Sequence, residues 1–316
     1  MYKIGIDLGG TNIAAGIVDE NYKIIAKGSV PTNADRDAEL IIKDMGALCN
    51  DLIKQAGIET SEIEYAGIAT PGTANRDTGV VEYANNLPFR RFPIADTLKK
   101  YLNVSKVYIE NDANAAAKGE AIAGIAKGCN HAVMITLGTG LGGGIIIDKK
   151  VYSGFNFAGA ELGHIVIEYN GRQCTCGRKG CWEAYSSATG LINMTKDKLA
   201  VCKDTAMHKL VEENNGEISG RTAFIAAKQG DKAGLEVVEE YIEYLACGMT
   251  TIINIFQPEI LCVGGGVCNE GDYLLKPLIE KVSGEQYSRD GVAKTQIKVA
   301  ALGNDAGIIG AAVLGV

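Results

Sequence analysis

The sequence contains no run of about 18 apolar residues, so no membrane-spanning helix is expected. It opens Met-Tyr-Lys-Ile-Gly-Ile-Asp, straight into a strand-like run. The charged leader and apolar stretch of a signal peptide are missing there, and none is expected. Proline is scarce, at 6 of 316 residues, and glycine, though plentiful at 40, has no period, which excludes a collagen-like chain. Positive charge is not in excess: 31 basic against 38 acidic residues leave a net charge of −7. That balance argues against broad nucleic-acid binding and leaves only a local basic patch open. Nine cysteines, an odd number without a secretion leader, do not make a disulfide framework. Reduced thiols in a cytoplasmic protein are expected instead. No low-complexity tract or long linker interrupts the chain.

What is present is a soluble-type composition, 47% hydrophobic and 22% charged, in a chain long enough for about two domains. Lys3–Leu8, Asn12–Val18 and Ile24–Val30 read as three strands of a meander. Leu40, Ile41, Met45, Leu48, Leu52 and Ile53 recur at helical spacing within residues 36–56, which Gly57 closes. Tyr65–Ala69 is a strand ending in Thr70-Pro71-Gly72, and Ile94–Tyr101 is a short helix. Lys106–Ile109 is a strand running into Glu110-Asn111-Asp112, followed by an alanine-rich helix over 113–126. His131–Leu137 then restarts the opening pattern of strand, glycine turn with threonine, and strand, the last over Gly143–Ile147. Such an echo suggests two related halves divided near residue 115. Residues 187–202 and 233–256 are helical, the latter either core or a subunit interface. Glu259–Val263 and Gln296–Ala301 are strands, and Tyr273–Val282 and Asn304–Leu314 are helices. The class expected is α/β with mixed sheets.

Three glycine turns each follow an apolar strand: Asp7-Leu8-Gly9-Gly10-Thr11-Asn12, Gly138-Thr139-Gly140, and Gly264-Gly265-Gly266. Residues without Cβ let backbone N–H groups approach an anion, and threonine adds a hydroxyl. One such turn alone is more simply a tight turn; three after apolar strands point to phosphate binding. None is a Walker loop, because no Gly-Lys-Ser/Thr follows. None is a Rossmann fingerprint, because a strand rather than a helix follows Gly9-Gly10. These paired glycine-threonine hairpins resemble those of the actin-like ATPase and sugar kinase superfold, where they grip nucleotide phosphates. The third run resembles that superfold's adenosine motif.

The second cluster is Cys174-x-Cys176-x4-Cys181, with His164 ten residues upstream of its first cysteine. Three thiolates and one imidazole are the ligand set of a closed tetrahedral zinc site. Free surface thiols are the alternative, but cysteines seldom bunch this way in a reducing compartment without a metal. Four protein ligands leave no open position, so the zinc would be structural. Asp112 lies where a strand gives way to a helix. Taken alone, a carboxylate there is best read as an N-cap.

Gly159-Ala160-Glu161-Leu162-Gly163-His164, followed by Cys174-x-Cys176-Gly177-x-x-Gly180-Cys181-Trp182-Glu183, resembles the signature of the ROK family of bacterial sugar kinases and repressors. The likeness runs from Asp7-Leu8-Gly9-Gly10-Thr11 to Gly303-Asn304-Asp305-Ala306-Gly307, with the bacterial ROK glucokinases as the subgroup it looks most like. The resemblance implies a two-domain actin-like ATPase (ribonuclease H-like) fold with a cleft between domains. The smaller domain would hold residues 1–115 and the terminal helix over 303–316, and the larger would hold 116–302 with the zinc loop. It implies a kinase that uses ATP and Mg2+, acts on a hexose in carbohydrate metabolism, and forms a homodimer.

Residue by residue, the resemblance makes Asp112 the base that accepts a proton from the sugar hydroxyl. It puts substrate contacts at Gly72, Asn86, Asn111, Asp112, Glu161, His164 and Glu183. ATP contacts fall at Asp7, Gly9, Gly10, Thr11, Asn12, Gly138, Thr139, Gly140, Gly264, Gly265 and Gly266, with Asp7 the direct or indirect partner of magnesium. Read from the residues alone, Glu161 and Glu183 serve equally as solvated surface carboxylates. His164 would give one ring nitrogen to zinc and keep the other for a sugar hydroxyl. His131 and His208 lack such company and read as structural. Pro88-Phe89 replaces the glycine and tryptophan usual after Asn86-Leu87, and Ala69 stands where a second glycine is usual. Glucose is the expected acceptor at its 6-hydroxyl. N-acetylmannosamine, N-acetylglucosamine and fructose are the rivals, because pocket shape decides among them. A sugar-responsive regulator is the reading from another class. A repressor is disfavoured because the chain starts at its first strand and is acidic, and a sensor without catalysis is disfavoured by the intact Asp112 and phosphate turns.

Overall fold

The computed structural model describes residues 1–316. The chain forms two compact units. One comprises Met1–Met134, Gly144–Ala160 and Ala300–Val316; the other comprises Ile135–Gly143 and Glu161–Val299.

The first unit opens with β1 (Tyr2–Leu8), β2 (Asn12–Val18) and β3 (Ile24–Pro31), an antiparallel meander. Helix α1 (Ala38–Ala56) begins two residues later than its apolar spacing suggests. Asp37 caps it, the carboxylate accepting from the Glu39 amide, and Gly57 ends it in a left-handed conformation. β4 (Ile63–Thr70) runs parallel to β1. A small antiparallel sheet follows, made of β5 (Thr73–Asn75), β6 (Val80–Tyr83) and β7 (Arg90–Phe92), which the sequence pattern does not announce. Then come α2 (Ile94–Lys99), β8 (Val107–Asn111) and α3 (Asp112–Ile122). The main sheet is mixed, in the order β3-β2-β1-β4-β8.

Side chains alternate across a strand, so Ile4, Ile6 and Leu8 of β1 share one face. With Ile13 and Ile17 of β2 they belong to one buried core with Ile41, Ile42 and Met45 of α1. Gly5 and Asp7 point the other way, toward the terminal helix Ala306–Ala312. A Cβ on Gly5 would stand 1.9 Å from the Ile308 carbonyl oxygen, and one on its neighbour Gly67 in β4 would stand 1.9 Å from that of Ala311. Only hydrogens at these two positions let the helix settle on the sheet. α3 packs on the same helix, with Gly310 against the Ala115 carbonyl. It stops at Ile122, short of the predicted 126, because the Glu120 carboxylate takes the Ile125 and Leu302 amides, each at 2.8 Å.

The chain continues through β9 (Ala132–Leu137), β10 (Leu141–Ile147) and β11 (Lys150–Tyr152). Helices α4 (Glu183–Ser186), α5 (Ala188–Val201), α6 (Ala206–Glu213), α7 (Thr222–Lys228) and α8 (Lys232–Phe256) follow. β12 (Ile260–Gly264), α9 (Asp272–Glu285), β13 (Gln296–Val299) and α10 (Ala306–Ala312) complete it. The second sheet has the order β11-β10-β9-β12-β13, the same as the first when strands are counted within each sheet. α8 buries one face from Ala233 to Ile253. Trp182, the single tryptophan, is fully buried over Gly248 and donates its indole N–H to the Tyr244 carbonyl at 3.0 Å. No helix is long and apolar enough to cross a membrane.

Candidate active site and metal centre

In the first unit, β8 hands over to α3 at Asn111-Asp112. Asn111, not Asp112, is the cap: its side-chain oxygen accepts from the Ala113 and Asn114 amides at 3.0 and 3.2 Å. Its amide nitrogen donates to the Gly72 carbonyl at 3.2 Å, which fixes the turn after β4. Asp112 therefore occupies the first helical position, half-buried, with one oxygen accepting from the Ala113 amide at 2.8 Å. The positive end of an eleven-residue helix favours a carboxylate there.

Behind it, Glu110 is buried and accepts from the Asn111 amide at 3.0 Å, from Asn114 Nδ2 at 3.3 Å and from Arg76 at 3.4 Å. Burial is the largest influence on Glu110 and holds its pKa above the usual carboxylate range, despite these partners.

Asp7, near the end of β1, faces Gly307. Burial alone pushes its pKa up, since no cation or donor offsets it. Such a carboxylate lacks a positive partner and fits a divalent ion. The next turn is closed by a bond from the Gly9 amide to the Asn12 carbonyl at 2.9 Å and by Thr32 Oγ1 on the Gly9 carbonyl at 2.7 Å. Thr32 also donates its amide to the Thr11 carbonyl at 2.8 Å. Asn86 lies against Gly10, its side-chain nitrogen 2.8 Å from where a Cβ would stand. The first unit thus holds Asn86 beside Gly10 and Gly72 beside Asn111.

In the second unit the ligand atoms of His164, Cys174, Cys176 and Cys181 all lie within 4.8 Å of one another. His164 Nδ1 is 3.7 Å from Cys174 Sγ, and Cys176 Sγ is 3.6 Å from Cys181 Sγ. A tetrahedral zinc with bonds of about 2.0 to 2.3 Å would space its ligand atoms by about 3.5 to 3.8 Å, so the donor set fits that ion. Burial, with the neighbouring thiols, pushes Cys181 up to about 12 and also raises Cys174. Cys176 lies below the usual thiol value: burial there is outweighed by the Arg178 amide and the other two thiols. The loop is closed by bonds from the Cys174 amide to the Arg178 carbonyl and from the Gly177 amide to the Cys174 carbonyl.

Glu161 immediately precedes the short 3-10 turn Leu162–His164, and the surrounding protein desolvates its carboxyl and raises its pKa, more than His164 lowers it. Glu183 begins α4 and accepts the Leu141 amide at 2.9 Å, at the start of β10. Its other oxygen faces Thr175 Oγ1 at 3.4 Å and Cys174 Sγ at 3.8 Å. It is therefore no free surface carboxylate; it joins the metal loop to the Gly138–Gly140 turn.

That turn is held further by bonds from Thr189 Oγ1 to the Thr139 carbonyl and from the Ala188 amide to the Gly138 carbonyl. At the end of β12, Gly265 has φ 95° and would put a Cβ 2.4 Å from the Leu137 carbonyl oxygen. Only glycine fits, and the 3-10 turn Gly266–Glu270 starts there. Sequence reasoning missed Arg76 and the part Glu110 plays in holding the Asn111 amide. Arg76 carries no motif signal, and Glu110 shows only its place beside Asn111-Asp112.

The ROK family profile matches residues 3–315. The glucokinase of Thermotoga maritima is 36% identical over 98% of this chain and 95% of its own length. The xylose repressor of Bacillus subtilis is 28% identical over 92% of this chain and 71% of its own length. Among solved structures, a ROK family glucokinase from Streptomyces griseus in complex with glucose and AMPPNP superposes with a TM-score of 0.85, at 34% identity over 99% of both chains. The fold is accordingly the two-domain actin-like ATPase fold of such sugar kinases. A profile match over nearly the full length, with two glucokinase relatives above 30% identity, makes this chain a member of the ROK family.

Proposed function

We propose that this protein is an ATP-dependent hexose kinase that transfers the terminal phosphate of ATP to the 6-hydroxyl of glucose. The observation that carries the reading is Asp112. It stands in the first turn of α3, with the residues on either side held by Asn111 and Glu110. The likeness to glucokinases over nearly the whole chain supports it.

Phosphoryl transfer depends mainly on an aligned nucleophile and on charge neutralisation. The 6-oxygen of the sugar forms a bond to the terminal phosphorus while the bond to the bridging oxygen of ADP breaks. Asp112 accepts the hydroxyl proton as the new bond forms. Asn111 fixes the strand end and Gly72. In the first unit, Asn86 offers an amide to a sugar hydroxyl, and Gly9, Gly10, Thr11 and Asn12 offer the phosphate turn.

In the second unit, Glu161, His164 and Glu183 offer polar groups to a polyhydroxylated ring. Gly138, Thr139 and Gly140 form the second phosphate turn, and Gly264, Gly265 and Gly266 the nucleoside side. Asp7 would hold the magnesium, which when bound neutralises charge on the phosphates. His164, Cys174, Cys176 and Cys181 would hold a structural zinc that fixes the loop carrying Glu183. None of the nine cysteines forms a disulfide, which supports a reducing, cytoplasmic setting, and the family resemblance supports a homodimer.

The test is the product of a reaction with glucose and magnesium-ATP. Phosphorus NMR is expected to show phosphate coupled to the protons on carbon 6. Phosphate on carbon 1, or free phosphate alone, would contradict the proposal.

A further inference from the structure

Glu110 is a buried carboxylate that the chemistry above does not use, and a buried carboxylate without a partner is costly. Its charged partner is Arg76, which follows β5 in a turn held by Asn75. The Asn75 side-chain oxygen accepts from the Asp77 and Thr78 amides at 3.2 and 3.3 Å. Arg76 reaches Glu110 with one guanidinium nitrogen at 3.4 Å and Ser153 Oγ with the other at 2.8 Å. The same guanidinium lies 5.7 Å from the centre of the Phe157 ring. Ser153 is buried, and its carbonyl accepts the Gly159 amide at 2.8 Å, which closes residues 153–159 into a loop. Phe157 sits at φ 63°, a conformation that a bulky aromatic residue adopts only when held. One planar fork therefore meets the strand end before Asp112 and the loop two residues before Glu161. A lysine has a single charged nitrogen and cannot make both contacts in that geometry.

We infer that Arg76 is a positioning residue that straps the strand end before Asp112 to the loop at 153–159. Its effect on catalysis rests on the kinase reading; the strap itself does not. Through Glu110 and the Asn111 amide it fixes where the first turn of α3 begins. Through Ser153 and Phe157 it holds the loop that leads to Glu161. Neither Arg76 nor Glu110 touches the reacting atoms in this account.

The experiment compares Arg76→Met, Arg76→Lys, Glu110→Gln and the double variant Arg76→Met/Glu110→Gln with the parent. It measures amide hydrogen exchange and steady-state kinetics. Arg76→Met is expected to speed exchange by about tenfold or more in both segments, 108–114 and 153–160, and to lower kcat with the KM for ATP unchanged. Arg76→Lys is expected to behave as Arg76→Met at the loop. The double variant, which removes the stranded charge, is expected to recover kcat to the level of Glu110→Gln. Faster exchange in only one segment would overturn the strap, as would losses in the double variant that multiply. The exchange arm needs no turnover. A parent that phosphorylates no sugar would overturn the kinase reading, and exchange would still decide the strap.

Discussion

Asp112 stands one residue inside α3 because Asn111 takes the capping position. Read alone, a carboxylate before an alanine run favours the cap, and only the family resemblance makes it the base. The neighbour's side chain takes the cap, and that choice depends on helix geometry that spacing does not encode. With the cap supplied by Asn111, the Asp112 carboxylate is not the group that closes the helix end, and one of its oxygens accepts from the Ala113 amide. Asp112→Asn is expected to lower kcat by about 10²- to 10⁴-fold while glucose binding by calorimetry persists. Near-normal turnover would remove it as the base. Asp7 gives a second prediction. Burial raises its pKa, so its proton is held more tightly folded than unfolded. Its favourable contribution to stability is present at acid pH, below the ordinary aspartate value, and is lost as pH rises through the raised native one. At neutral pH the buried charge is a cost that a cation bound there would offset. Asp7→Asn is therefore expected to melt no lower than the parent without ligands at pH 7, to gain less from magnesium-ATP, and to lose activity. A lower melting point together with full activity would contradict this.

The cysteine loop is the element most legible in the sequence, because ligand type and spacing are set by the ion they suit. Its connections were not legible. Glu183 looks like any carboxylate at the start of a helix, yet it takes the Leu141 amide and so ties the loop to the second glycine turn. That bond needs β10 and α4 side by side, which no local pattern predicts. The small sheet of β5, β6 and β7 escaped for another reason: strands of three or four residues are too short to show alternation. Cys181 and Glu183 flank Trp182, which is buried against α8, so the candidate metal site has a built-in reporter. Metal analysis is expected to find about one zinc per chain. Removing it with a chelator is expected to shift tryptophan emission to longer wavelength and to lower activity, and zinc is expected to restore both. Thiolate ligands release protons on binding the ion, so its affinity is expected to fall as pH falls. Full activity with no zinc would contradict a structural role.

At the scale of the whole molecule, the two main sheets repeat one strand order. The sequence carried this openly, as two strand, glycine-threonine turn and strand units, because the turns need glycine and the strands need apolar residues. The packing of α3 on α10 was hidden. It depends on Gly310 lying against Ala115, a contact between positions 195 residues apart. The chain is similar both to a glucokinase and to a xylose repressor, so architecture leaves the activity to the site. Sugar choice rests on pocket shape rather than on the roster of polar groups. The most direct measurement is a coupled assay of ADP release with magnesium-ATP and a panel of glucose, mannose, fructose, N-acetylglucosamine and N-acetylmannosamine. ADP release that depends on sugar, with the highest kcat/KM for glucose, is the predicted result. No sugar-dependent release, or a clear preference for an N-acetylhexosamine, would contradict the account.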